Sequence, residues 1–232
     1  MTRSSKMPAI AAGLMLSIGS SLWLTACDKP TETAAPAAAT TPVSQPKQRV
    51  WADFGSGNME MPGGVKAGQG WYAEDKRDVS FERLEFDKGG VRLIGNTYSR
   101  HGSRYAGITL SMNSSQDGGE DVSAFSVLHL ELASAEPNHV LQVRLIGPDD
   151  SAKFRGCYPY VEVRPSTDIS EHNISLVSTL FPALAWCKDL PLDFATTLKG
   201  LRAVEIIDPT MPAAGADQSA IDFSVKTVRF SR

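Results

Sequence analysis

Between Tyr105 and Ile146 the chain alternates apolar and polar residues in three runs, YAGITLSMN, SVLHLELAS and VLQVRLIG, divided by the turn-forming clusters SSQDGGEDVSAF and AEPNH. A period of two marks a strand with unlike faces, because successive side chains leave a strand on opposite sides. Leu128, Leu130 and Leu132 therefore share one face, and His129 and Glu131 the other. In the next run Leu141, Val143 and Leu145 oppose Gln142, Arg144 and Ile146. A sheet with one apolar and one polar face has to be covered on one side only, which predicts an antiparallel sandwich.

The same texture extends over the rest of the chain from Arg49. No stretch of a dozen residues keeps a helical apolar period, and short alternating segments recur between Gly, Asp, Asn and Pro, so the class is all-β. Strands are expected at Arg49 to Phe54, Val79 to Phe86, Val91 to Tyr98, Tyr105 to Met112, Ser126 to Ser134, Val140 to Ile146, Tyr158 to Arg164, His172 to Ser178, Leu201 to Asp208 and Ile221 to Phe230. Asp87-Lys88-Gly89-Gly90 reads as a tight hairpin and Arg100 to Arg104 as another. Phe181-Pro182 and Leu190-Pro191 resist a long helix, so Leu180 to Leu198 is expected to be irregular with one helical turn.

What precedes Arg49 is of another kind. Arg3 and Lys6 stand ahead of an apolar run, Pro8 to Leu24, that ends in Leu24-Thr25-Ala26-Cys27. Interrupted by Gly13, Ser17, Gly19, Ser20 and Ser21, the run is marginal for spanning a bilayer and reads as a signal peptide, residues 1–26. Its last four residues resemble a bacterial lipobox, whose Cys is acylated, so Cys27 is the expected lipid site and the membrane is engaged through that anchor. Asp28 resembles an inner-membrane retention signal and leans the assignment to the inner membrane. Residues 27–48 are rich in Ala, Thr and Pro with one large apolar residue, Val43, and are expected to form a disordered tether. Residues 49–232 are then one domain's worth of chain.

Charge excludes one class of partner. The whole chain carries a formal net charge of −3, and two of its cations, Arg3 and Lys6, lie in the leader. Nucleic acid is not an expected partner, because phosphate neutralisation needs clustered Lys and Arg. With Cys27 assigned to lipid, Cys157 and Cys187 remain in an oxidising compartment without the close spacing of a redox or metal pair. They are expected to form a disulfide.

Local motifs for catalysis are lacking. His101, His129, His139 and His172 are too dispersed for a transition-metal motif, and no G-x-S-x-G elbow occurs. Glycosidase chemistry asks for two carboxylates at a set separation. Glu205 and Asp208, three apart on one strand, point to opposite faces, and Glu131 and Glu162 are read as cross-strand partners of Arg144 and Arg164. What remains is the outward phase of four runs: Thr109, Ser111, His129, Glu131, Gln142, Arg144, Tyr160, Glu162 and Arg164. If those strands are neighbours they make one polar groove, with Tyr158, Tyr160, Trp71, Tyr72 and Trp186 as candidate platforms for the apolar face of a sugar ring.

Several short motifs occur in a recognisable order: Val50-Trp51-Ala52-Asp53-Phe54, Trp71 followed by Asp75, Gly95 after Val91-Arg92-Leu93-Ile94, Tyr105-Ala106-Gly107-Ile108, Asp121-Val122-Ser123-Ala124-Phe125 and Ile221-Asp222-Phe223. In this the chain resembles galactose-binding-like β-sandwiches, and is most similar to the complex I intermediate-associated protein family and to jelly-roll carbohydrate-binding modules. The resemblance implies a single jelly-roll sandwich with no required cofactor. It also implies a structural Ca²⁺ between the first and last strands, with Asp53 and Asp222 contributing. The reading is an envelope-anchored, periplasm-facing lipoprotein whose non-catalytic sandwich binds a carbohydrate or glycan. The alternative is a module that binds or assembles an envelope protein, as the complex I resemblance implies, and a glycosidase or lyase comes third.

Overall fold

The computed structural model describes residues 47–55, 65–73, 76–87, 89–98, 104–112, 119–148, 157–182, 187 and 193–232. Their strands are β1 (Gln48–Asp53), β2 (Val65–Ala73), β3 (Val79–Asp87), β4 (Gly90–Tyr98), β5 (Arg104–Met112), β6 (Val127–Ser134), β7 (Leu141–Ile146), β8 (Tyr160–Val163), β9 (Ser170–Ser175), β10 (Ala203–Asp208) and β11 (Gln218–Ser231). One sheet runs β3-β4-β11-β6-β9 with β1 also beside β11, and the other β2-β5-β10-β7-β8. Every described pairing is antiparallel. We refer to them as the β11 sheet and the β10 sheet, after their central strands.

The apolar phases of both sheets meet in one core that includes Leu93, Ile108, Leu128, Leu130, Leu141, Leu145, Phe223 and Phe230, all buried. Trp51 joins the layers: its ring meets Phe230 edge-on, with centroids 5.9 Å apart, and its indole N–H donates to the Leu110 carbonyl of the opposite sheet at 3.0 Å. That bond satisfies the indole without admitting water to the core. β11 serves as a spine, paired with β4 over Gln218 to Val225 and with β1 over Thr227 to Ser231. The exchange of partners falls at a bulge at Lys226, where the register with β6 also shifts. Gly90 makes the junction possible, since it adopts φ +128° and a Cβ there would run into the Val225 carbonyl.

The disulfide expected from the cysteine count is present, joining Cys157 to Cys187 with Cα atoms 5.6 Å apart. Among the described residues at the end of the stretch expected to be irregular lies a short helix, α1 (Phe194–Lys199), capped by Asp193, whose carboxylate accepts from the Thr196 N–H at 3.1 Å. β3 and β4 close a hairpin through Asp87↔Gly90, as expected. The second hairpin expected at Arg100 to Arg104 falls largely outside the described residues, and the strands on either side of it, β4 and β5, lie in different sheets. β2 was not expected: Gly68 and Gly70 empty its outward phase and erase the alternation. β8 is shorter than its pattern and ends before Arg164, whereas β9 gives way to a 3-10 turn at Ser178–Leu180.

Candidate functional site

The outward phase of the β10 sheet lines up across all five strands. Gly68 on β2 opposes Thr109 on β5, Thr109 opposes Glu205 on β10, Glu205 opposes Arg144 on β7, and Arg144 opposes Tyr160 on β8. At about 4.8 Å between strands this row is about 19 Å long. Ser111 and Lys66 stand in the row on one side, and Gln142 and Glu162 in the row on the other. The Thr109 hydroxyl donates to Glu205 Oε1 at 3.1 Å. Gly70 keeps that pair in place, since a Cβ there would collide with the Thr109 hydroxyl.

Arg144 departs from the expectation of a wet polar face. Although it sits in the outward phase, only 4% of its surface is exposed, and Gln142 is buried beside it. The Tyr105 ring reaches across β10 to lie 4.4 Å from the guanidinium carbon. Nη2 donates to Gln142 Oε1 over a long 3.4 Å, and the buried Nε–H has no hydrogen-bond partner. Among the described residues Arg144 makes no ion pair, even with Glu205, its neighbour in register. A desolvated cation left this way is costly.

Two other members of the expected groove, His129 and Glu131, are elsewhere. They belong to β6, in the other sheet, and point from the opposite outer surface. There Glu131 pairs with Lys226 at 3.1 Å and accepts from the Thr227 hydroxyl at 3.1 Å, not from Arg144. Burial works against ionisation of this carboxyl, but those bonds outweigh it and hold its pKa below the ordinary value. His129 is held between Asn173 and Ser231, and Arg229 pairs with Glu171 at 2.6 Å. A shallow polar depression of about 410 Å³ opens on this surface between Gln48, Asp53, Glu131, Lys226 and Arg229. Its charged side chains are already engaged, Glu131 with Lys226, Arg229 with Glu171, and Asp53 with the Gly55 N–H at 2.9 Å.

Asp53 and Asp222 do not form one ion site. Asp53 opposes Thr227, five residues along β11 from Asp222, about 16 Å at strand rise. Both Asp222 oxygens accept from Arg92, each at 2.7 Å. Among the described residues no three His, Cys, Asp or Glu side chains are placed to hold a metal. Glu205 and Asp208 do take opposite sides: Asp208 is buried between the sheets and bonds His139 Nε2 at 2.8 Å. That bond raises the pKa of His139 against the opposing effect of burial.

Of the aromatic candidates, Tyr160 closes the row and is half-buried, while Arg164 is exposed beyond the end of β8. Trp71 is 44% exposed but shares the phase of Ala67 and Ala73, which pack on the core, so it stands at the sandwich edge. Tyr158 precedes β8 and is half-buried. Trp186, His101, Cys27 and the Tyr72 side chain lie outside the described residues. Sequence reasoning missed Tyr105, Gly68 and the place of Glu205 in the row. The outward phase of β5 and β10 was a signal for Tyr105 and Glu205, whereas the adjacency of these strands was not readable.

Comparison with known proteins finds no family model that matches the chain and no matching curated protein. Among solved structures it is similar to a family 11 carbohydrate-binding module from Clostridium thermocellum in complex with a β-1,3-1,4-mixed-linked tetrasaccharide. The TM-score is 0.52 at 13% identity, over 79% of this chain and 95% of that one. A family 30 carbohydrate-binding module of a cellulosomal cellulase from Clostridium thermocellum aligns with a TM-score of 0.43 at 13% identity, over 80% and 98% of the two chains. An agarase aligns at 8% identity and a TM-score of 0.43, over 81% of this chain and 25% of its own. At these identities the likeness is one of architecture, and the chain has the antiparallel jelly-roll sandwich fold of the family 11 module.

Proposed function

We propose that the chain is a non-catalytic glycan-binding protein, held on the bacterial cell envelope by a lipid at Cys27, and that the outer face of the β10 sheet is its binding surface. The observation that carries this is the row Thr109–Glu205–Arg144–Tyr160, one polar or aromatic side chain from each of four adjacent strands. Hydroxyl, carboxylate, guanidinium and phenol in line offer donors and acceptors to an extended, hydroxyl-rich ligand, with Gly68 leaving the β2 end low. A family 11 module of this fold holding a tetrasaccharide supports the choice of ligand class. The non-catalytic reading is supported by the spacing of the face's acids: glycoside hydrolysis ordinarily uses two carboxylates acting together, whereas Glu205 is engaged by Thr109 and Glu162 stands two strands away in the neighbouring row.

A glycan array probed with the detergent-solubilised full chain tests the binding. Thr109→Val and Tyr160→Ala are expected to lower retention on the glycans found by about tenfold, an amount that one well-made hydrogen bond or one aromatic contact supplies. Parent-like binding by both variants, or no glycan bound by the parent, removes the reading. Anchoring is tested separately by labelling with a palmitate analogue, which Cys27→Ser should abolish.

A further inference from the structure

We propose that the ligand of the β10-sheet face is an acidic glycan, and that the Nε and Nη2 edge of Arg144 receives a uronate carboxylate. This rests on the glycan-binding reading and adds the substrate class to it. Three strand arginines of the molecule can be compared. Arg49 turns its Nε and Nη2 to the two oxygens of Glu120, at 2.5 and 2.7 Å, with 18% of its side chain exposed. Arg92 does the same with Asp222, at 2.7 Å for both bonds, with 40% exposed. Arg144 is the most buried of the three, and the same edge carries no carboxylate.

The order is the reverse of what stability alone would select. An exposed guanidinium is hydrated and needs no partner, whereas a buried one is strongly disfavoured without a compensating charge. Here Tyr105 covers one face and Gln142 offers a neutral oxygen at 3.4 Å, too long to be a strong bond. Gln142 then acts as a place-holder: turning its amide aside opens the Nε and Nη2 fork, whose geometry matches a carboxylate. A hydroxyl of a neutral sugar could accept the Nε–H but would leave the charge uncompensated. A carboxylate satisfies both, in surroundings already stripped of water where the pairing is strong. Glu205, its neighbour in register, accepts from Thr109 and, among the described residues, makes no ion pair with Arg144.

The test is calorimetric titration of the full chain in detergent with oligogalacturonate and oligoalginate, each beside its carboxyl-reduced derivative, which keeps the ring and linkage and replaces the acid by an alcohol. At least one acid is expected to bind about tenfold more tightly than its reduced form, the worth of one charge-assisted pair. In Arg144→Gln the two forms should bind within about twofold of each other, and Arg144→Lys, which keeps charge but lacks the fork, should lose most of the preference. Melting curves establish that each variant is folded, and the parent comparison decides the matter if one is not. Equal binding of acid and reduced form overturns the acidic class while leaving glycan binding in place. Failure of the parent to bind any glycan, here and on the array, overturns both. A preference retained by folded Arg144→Gln and Arg144→Lys removes Arg144 from the role.

Discussion

The two outer faces of the sandwich are built from the same alternating pattern and reach opposite electrostatic states. On the β11 sheet each charge around the polar depression has found a partner: Glu131 with Lys226, Arg229 with Glu171, His129 with Asn173 and Ser231. On the β10 sheet the guanidinium of Arg144 is buried with a bare Nε–H. The difference teaches that a depression by itself is a poor guide to a site. A surface whose groups already satisfy one another must lose those bonds to bind anything, whereas an unsatisfied buried group gains by binding.

The largest blow to the comparison should come at the edge of the β10 sheet. Among the described strands β8 pairs only with β7, over four residues, and the Cys157–Cys187 bridge joins a residue just before it to one well after it. Replacing both cysteines by Ser is expected to lower stability by about 3.5 kcal/mol on the chain-entropy account. Denaturant melts give the magnitude, and hydrogen exchange should show β8 opening before β6 and β11. Simultaneous opening of the two sheets would mean that the bridge does not single out this face.

A smaller loss is expected where the β11 sheet changes partners. Gly90→Ala forces a side chain into φ +128° and against the Val225 carbonyl. It should cost roughly 1–3 kcal/mol, the usual range for backbone strain, while glycan binding by the folded protein is unchanged. A binding defect at constant fold would couple the two faces and erase the distinction drawn between them.

Acidity probes the rim where the β6–β7 connection passes from one sheet to the other. The folded-state pKa of His139 is raised, so the stability from its bond to Asp208 is complete below the unfolded value of about 6.5 and is lost as pH rises through the folded value. The melting temperature should therefore fall as pH rises above about 6.5 through the folded value, and His139→Gln should remove that fall. A pH profile identical in parent and variant would detach this pair from stability.

The smallest effect belongs to the satisfied face. Lys226→Ala and Glu131→Ala remove a partly exposed ion pair and should each change stability by about 0–1 kcal/mol, with glycan retention as in the parent. Loss of retention in these two, with Thr109→Val binding normally, would move the site to the β11 sheet.

Much of the molecule was legible in its residues. Alternation placed ten strands and the outward phase of four of them, because side-chain direction along a strand is a local property with a period of two. The cysteine count foretold the bridge, and Gly89-Gly90 the tight hairpin. β2 escaped because glycines at 68 and 70 leave no pattern to read. Burial of Arg144 escaped too, since an outward phase promises exposure and only surrounding side chains such as Tyr105 remove it. The division of the expected groove between two surfaces was decided by tertiary structure alone. β6 and β7 carry the same pattern and are consecutive, yet residues 135–140 carry the chain from one sheet to the other. Periodicity says which side of its own strand a residue faces. Which strand lies beside it is set by burying apolar faces contributed by segments far apart in the chain, so Thr109, Arg144 and Glu205 become neighbours only when the sandwich closes.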